Sequence, residues 1–248
     1  VVFYNHGGGF ATGSGGAMGQ DGANLARHFD VVVVETNHRL NIFGFLYLGA
    51  IAGEEYATSG NNGILDIVEG LKWVKTNIAQ FGGDPDNVMI CGESGGGYKT
   101  SILYGMPAAA PYFNKASIES GPGLRVNSLE TAAMVAELTL KELGIAKNDW
   151  RKLFEVPAEQ LFTLQGQMNN FLQGKALKKG ERFGFSPVVD QVSILAHPFV
   201  PAAPALSKEK PVMVGWNADE YIFFLMTGGN LEPLKLGAKE DKRVVELL

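Results

Sequence analysis

Cysteine is nearly absent from this 248-residue chain. Cys91 stands alone, so no disulfide can close within the stretch, and its apolar, strand-like setting marks it as a small buried hydrophobe. No run approaches the roughly 18 apolar residues that a membrane-crossing helix needs, so no membrane span is expected here. Basic charge is not in excess: 21 Lys and Arg against 26 Asp and Glu leave a formal charge of −5. Such a chain offers no field to gather a polyanion, and nucleic acid is excluded as an expected partner. There is no internal repeat and no low-complexity tract, which excludes a solenoid. The N-terminus shows neither a basic leader nor a cleavage site and opens inside a strand-like "VVFY". An excerpt from a longer polypeptide is therefore expected, and both a cytoplasmic and a secreted location stay open.

What is present is an ordinary globular composition, 46% hydrophobic and 19% charged, long enough to bury a sizeable core. Short β-branched runs at Val31 to Thr36, Val88 to Cys91, Ala116 to Glu119 and Val212 to Gly215 alternate with segments of helical period. That alternation predicts an α/β fold with a mostly parallel sheet. Ile64, Leu65, Val68, Leu71, Val74 and Ile78 recur at helical spacing, predicting an amphipathic helix packed on the sheet. From Asn127 to about Phe171 the pattern becomes helical without strands. Asn127 with Glu130 resembles a capping box, Gly144 follows the last apolar position, and Pro157 is placed to open a second helix. This stretch reads either as a cap over the C-terminal edge of the sheet or as an ordinary crossover pair.

The most informative segment is "CGESGGGYKT", Cys91 to Thr100. A phosphate loop needs Lys and Ser or Thr directly after its last glycine, and here Tyr98 intervenes and turns Lys99 away. Gly92-Glu93-Ser94-Gly95-Gly96 instead satisfies Gly-x-Ser-x-Gly, after the strand "VMIC" and before a helix expected over Gly95 to Tyr104. In that context the serine sits on a strained strand-to-helix turn with its hydroxyl raised above the sheet. "HGGG", His6 to Gly9, follows the first strand and offers bare amides to an oxyanion. Asp219 and Glu220 lie beyond "PVMVG", an acid following the serine in chain order, although paired loop acids are also ordinary surface charges. "DPD" at Asp84 to Asp86 reads as a turn and not as a metal site.

Taken together, these blocks closely resemble the type B carboxylesterases, the cholinesterase-like branch of the α/β-hydrolases, and their bacterial members in particular. The resemblance rests on "HGGGF", "NHRLNIFGFL", "GNNGILD", "WVKTNIAQFGGDPDNV", "GESGGG", "IESGP", "SPVVD" and "VGWNADE", and covers nearly the whole chain. It implies an α/β-hydrolase domain over 1–248 with a helical cap-like insertion about 127–180, incomplete at both ends. It implies ester hydrolysis through an acyl-enzyme, a small-molecule ester as substrate, and neither metal nor organic cofactor. Ser94 is then the nucleophile, Glu220 the acid that orients the catalytic histidine, and Ser120 a supporting partner of that acid. The oxyanion donors are the amides of Gly8, Gly9 and Gly95.

The family's catalytic histidine lies downstream of the acid, on a segment this chain does not reach before Leu248. None of His6, His28, His38 and His197 fits that role. His38 stands where Tyr is commoner, Asn41 and Gln191 where Gly is usual, and Tyr221 where Gly usually follows the acidic pair. Phe10, Phe43, Phe183 and Phe223 are candidates for an apolar gorge or for core packing. A rival reading from another class is a non-catalytic, adhesion-type binding module of the same fold, against which Ser94 and the Gly7 to Gly9 triplet argue. The sequence is silent on oligomeric state.

Overall fold

Five strands, β1 (Val2–Asn5), β2 (Val33–Glu35), β3 (Met89–Glu93), β4 (Lys115–Glu119) and β5 (Val212–Gly215), make one parallel sheet in the order β2-β1-β3-β4-β5. The computed structural model describes residues 1–172, 178, 181–182, 184–220 and 222. Phe183, Tyr221 and Phe223, and part of the 127–180 stretch, lie outside the described residues. The register sets Asn5 beside Gly92 and Glu93 beside Glu119, so the chain leaves β1, β3 and β4 at one edge of the sheet. In an open parallel sheet that edge is where functional loops gather.

Helices α1 (Ala23–His28), α2 (Asn41–Phe45), α3 (Gly49–Ala52) and α4 (Asn62–Asn77) precede β3, and α5 (Gly95–Tyr104) follows it. The buried face of α4 is Ile64, Ile67, Val68, Leu71 and Val74, continued by buried Ile78 in a short 3-10 turn. Leu65, expected on that face, is only partly buried, because Ile67 completes the i, i+3, i+4 stripe. All ten residues of α5 are buried, which explains why it carries no one-sided apolar stripe.

Helices α6 (Leu129–Glu142) and α7 (Ala158–Leu172) follow β4, with a 3-10 segment Lys147–Glu155 between them. They pack on α2 and α3, which lie beyond the C-terminal end of β2. The cap of α6 is Ser128, whose Oγ accepts from Thr131 N at 3.3 Å, and not the expected Asn127. The Asn127 amide instead clamps a distant segment: Oδ1 accepts from Arg182 N at 2.8 Å and Nδ2 donates to Arg182 O at 3.1 Å. Glu130, likewise, pairs with Lys178. At the other end Gly144 takes φ +68°, and Ile145 N donates to Leu140 O, as the expected C-terminal cap requires.

Two spaced motifs meet through Asn61. Its Oδ1 accepts from Val188 N at 2.9 Å, and its Nδ2 donates to Val188 O and Asp190 Oδ2 at 2.8 and 3.0 Å. Asp190 Oδ1 in turn accepts from Val192, Ser193 and Ile194 N, forcing a tight turn in which Gln191 adopts φ +63°. Asn41 also has a positive φ, +48°. Both positions are ones where the resemblance leads to an expectation of glycine.

Beneath the C-terminal end of β1, the rings of buried His6 and His38 stack with centroids 4.5 Å apart. Neither ring nitrogen of His38 has a hydrogen-bond partner among the described residues. Burial, the Lys99 charge and then His6 hold its pKa down at about 3, with Asp66 opposing weakly.

Three substitutions in the full-length protein test these features. A left-handed non-glycine residue costs about 1–2 kcal/mol, partly offset by the freedom glycine regains when unfolded. Gln191→Gly should therefore raise the urea-unfolding free energy by about 0.5–1 kcal/mol. Asn41→Gly should bring no gain, since Asn41 Oδ1 accepts from Phe43 N at 3.3 Å. His38, neutral when folded and of ordinary pKa when unfolded, stabilises fully above about pH 6.5, and that contribution is lost as pH falls towards 3. By pH 5 the loss is about 2 kcal/mol. His38→Tyr should flatten the fall in melting temperature between pH 7 and pH 5, and an unchanged slope would contradict the neutral buried imidazole.

Candidate active site

Ser94 occupies the single residue between β3 and α5, with φ +55° and ψ −118°, a conformation that non-glycine residues rarely adopt. Three contacts hold it there. Ser94 N donates to Glu119 O at 2.9 Å, Tyr98 N donates to Ser94 O at 3.1 Å, and Gly121 packs so closely beneath that a Cβ would overlap Ser94 O. The strained turn follows from a five-residue strand running straight into a helix whose first three residues are glycines.

The glycine loop leaves β1 at His6. Gly8 and Gly9 both have positive φ, +80° and +62°, and Gly8 O accepts from Ala11 N and Thr12 N at 3.3 and 3.1 Å to close the turn. The Gly9 backbone lies directly against Gly95, where a Cβ would overlap Gly9 N. Gly8, Gly9 and Gly95 are thus brought together beside Ser94.

Facing them, the Asn217 to Glu220 turn completes a cavity of about 600 Å³ whose lining includes Gly7, Gly8, Glu93 and Ser94. Glu220 Oε2 accepts from Asn217 N at 2.8 Å, so the carboxylate is fixed by its own turn, and Asp219 lines the same cavity. Ser120 has φ +51° and donates its N–H to Gly215 O at 2.8 Å, tying β4 to the end of β5. No hydrogen bond joins Ser120 to Glu220 among the described residues, and Ser120 is not part of the cavity lining.

Glu93, Gln20 and Asn217 line the cavity although sequence reading gave them no role. For Glu93 the signal was available, since it adjoins the serine inside the motif; Gln20 and Asn217 carry none. The Glu93 carboxyl is pushed above its ordinary pKa by burial, then by the charges of Glu220 and Glu119. None of the four histidines lines the cavity. His28 ends α1, His6 and His38 stack behind the glycine loop, and His197 accepts from Val126 N at 3.3 Å through Nδ1. Phe10 belongs to the core, packed edge-on against Phe45 and Tyr98, while Phe43 is 40% exposed on α2. Cys91 is buried, which pushes its thiol up to about 12. The Asp84 to Asp86 segment is a turn, Asp86 N donating to Asp84 Oδ1 at 2.8 Å. Among the described residues no cluster of three or more His, Cys, Asp or Glu could hold a metal ion, and no helix is long and apolar enough to cross a membrane.

Residues 1–245 match the family model described as the carboxylesterase family. The para-nitrobenzyl esterase of Bacillus subtilis (strain 168) is 39% identical over 227 residues, 90% of this chain and 44% of that protein. The liver carboxylesterase of Sus scrofa is 35% identical over 254 residues, covering 100% of this chain and 44% of its own length. Among solved structures, a Geobacillus stearothermophilus carboxylesterase superposes with a TM-score of 0.82 at 41% identity, over 96% of this chain and 49% of that one. The chain thus spans just under half the length of these relatives. Its match over nearly every residue, with the sheet and turn described above, shows that the chain belongs to the carboxylesterase family and has the α/β-hydrolase fold.

Proposed function

We propose that the protein is a serine carboxylic ester hydrolase working through an acyl-enzyme. The observation that carries this reading is Ser94, held at φ +55° on a strand-to-helix turn with the Gly9 backbone packed against Gly95 beside it. The surrounding backbone holds that strain in place, and the strained turn is what lets a nucleophile project above the sheet. The relatives named as esterases support the same chemistry.

In this reading a histidine supplied from sequence beyond residue 248 takes the proton from Ser94 Oγ as the oxygen attacks the ester carbonyl. Glu220 orients that imidazole and balances the imidazolium, with Ser120 supporting the turn from which the acid projects. The amides of Gly8, Gly9 and Gly95 receive the oxyanion, each donor contributing about 3 kcal/mol to the transition state. The imidazolium then returns its proton to the departing alkoxide, and water, activated in the same way, releases the acid from Ser94. The substrate is a small-molecule ester. The 1–248 chain forms one part of a single catalytic domain, in which the stretch of about 127–180 is a cap-like insertion.

A fluorophosphonate, followed by mass spectrometry on the full-length protein, is the direct test, since only an activated serine reacts quickly. A single adduct on Ser94, absent in Ser94→Ala, is expected. Glu220→Gln should lower kcat by about 10⁴-fold, the scale seen when a triad acid loses its charge. Folded wild-type protein that takes up no label would point instead to a non-catalytic binding module.

A further inference from the structure

The structure assigns Lys99 as a positioning residue for the oxyanion loop: from inside α5 its ammonium group fixes the His6 carbonyl, and with it the Gly7 to Gly9 turn, against the nucleophile. This rests on the esterase reading above and goes beyond it, since neither motif nor resemblance gave Lys99 a role.

Lys99 is the only charged side chain of α5 and is 0% exposed, among the largest fully buried side chains of the chain. Its Nζ donates to His6 O at 2.9 Å, and no carboxylate pairs with it among the described residues. A fully buried ammonium without a counter-charge is a poor choice for stability; an apolar side chain of similar length would fill the space without the desolvation cost. Such a group persists where its hydrogen bond serves something else. What it holds is the last carbonyl before the glycine loop. His6 starts that loop, and its own Nδ1 lies 2.9 Å from Gly7 O, so a shift of the His6 carbonyl is passed to Gly7 and onward. Lys99 is five residues along the helix from Ser94, so one rigid helix carries both the nucleophile and the anchor of the donors that serve it.

The groups around it fix the sign of its pH dependence. Helix α5 packs on β1, β3, β4 and α4, which carry Cys91 and Glu93 on β3, Glu119 on β4 and Asp66 on α4, while His6 follows β1 and stacks on His38. Both histidines are held below their ordinary pKa by burial and then by Lys99 itself, and the Cys91 thiol is pushed up. Asp66 is engaged by Arg39, whose Nε and guanidinium NH2 donate to its two oxygens at 2.8 and 2.7 Å. With no anion committed to it, the ammonium is brought down to about 7 by burial. The charge-assisted hydrogen bond is therefore present below about pH 7 and weakens above it.

The test uses the full-length protein, a p-nitrophenyl ester, and fluorophosphonate labelling of Ser94. Wild type should show kcat falling on the alkaline side with an apparent pKa near 7, besides the acid limb of the catalytic base. Lys99→Met should lower kcat at pH 6.5 by about tenfold, leave KM within about twofold and abolish that alkaline limb. Lys99→Gln, which keeps a neutral donor, should lose the limb with a smaller fall in kcat. Labelled wild type accompanied by variants of unchanged kcat and pH profile would overturn the assignment alone. Collapse of the fold in both variants would also overturn it, by making Lys99 structural. Folded wild type without any Ser94 label would remove the esterase reading and this one together.

Discussion

The contact on which the structure depends is one of backbone against backbone, where the first turn of α5 meets the end of β1 and the loop beyond it. A Cβ at Gly96 would overlap the Asn5 carbonyl oxygen, one at Gly95 would overlap Gly9 N, and one at Gly97 would come within 2.8 Å of Glu119 O. Three successive helical positions therefore touch the end of β1, the loop that follows it and the end of β4. Glycine is a weak helix former, and a run of three at a helix start lowers local stability. The fold accepts this because no side chain fits between the helix and the strands it joins. Asn5 Nδ2 donating to Thr100 Oγ1 at 3.0 Å and Lys99 Nζ donating to His6 O at 2.9 Å continue the same seam one turn further along.

This seam explains why unfavourable local features collect in one place. Ser94 and Ser120 both have positive φ, Lys99 is a buried cation, and His6 and His38 stack with imidazole nitrogens that lack partners among the described residues. Each is costly by itself, and each lies within or beside the seam. The rest of the sheet and α4 are ordinary by comparison, with Phe3, Ile64, Leu71, Val88 and Ile90 all fully buried. Local strain of this kind survives only where surrounding structure over-determines it, and here parallel pairing of β1, β3 and β4 in a fixed register does so.

How much of this was legible in the sequence follows from how locally each feature is encoded. The strand runs, α4, α5 and the serine turn depend on residues adjacent in the chain, and their periodicity or motif reveals them. Asn127 was misread as a cap because its partner, Arg182, is 55 residues away, and nothing in the spacing announces that hydrogen bond. Asn61 and the 188–193 turn are likewise joined across 127 residues, so the two motifs could be noticed but not connected. Glu93 was visible but mute, since its proximity to Glu119 and Glu220 arises only when β3, β4 and the chain beyond β5 come to one edge. Lys99 was used to reject a phosphate loop, and only the burial of α5 on every side turns it from a surface lysine into an anchor. The departures Asn41 and Gln191 were informative in a way the sequence alone did not disclose. Both retain the left-handed backbone that a glycine would adopt there, so the turn geometry is kept while its natural residue is not.

The electrostatics of the cavity carry the synthesis one step further. Glu93 is raised by burial and by the charges of Glu220 and Glu119, so the cleft is a place where negative charges repel each other. Glu220 is nonetheless fixed in that cleft by Asn217 N, at 2.8 Å, and cannot rotate away without losing its acceptor role. A carboxylate held against such repulsion is stabilised by any cation formed between it and the serine. An imidazolium produced there as Ser94 gives up its proton would meet an environment already negative on one side, while the glycine amides and the nearby start of α5 offer the positive end of the peptide dipoles to the oxyanion on the other. In the proposed reaction, charge separation across the reacting bond would thus be favoured by groups that are in place before substrate arrives.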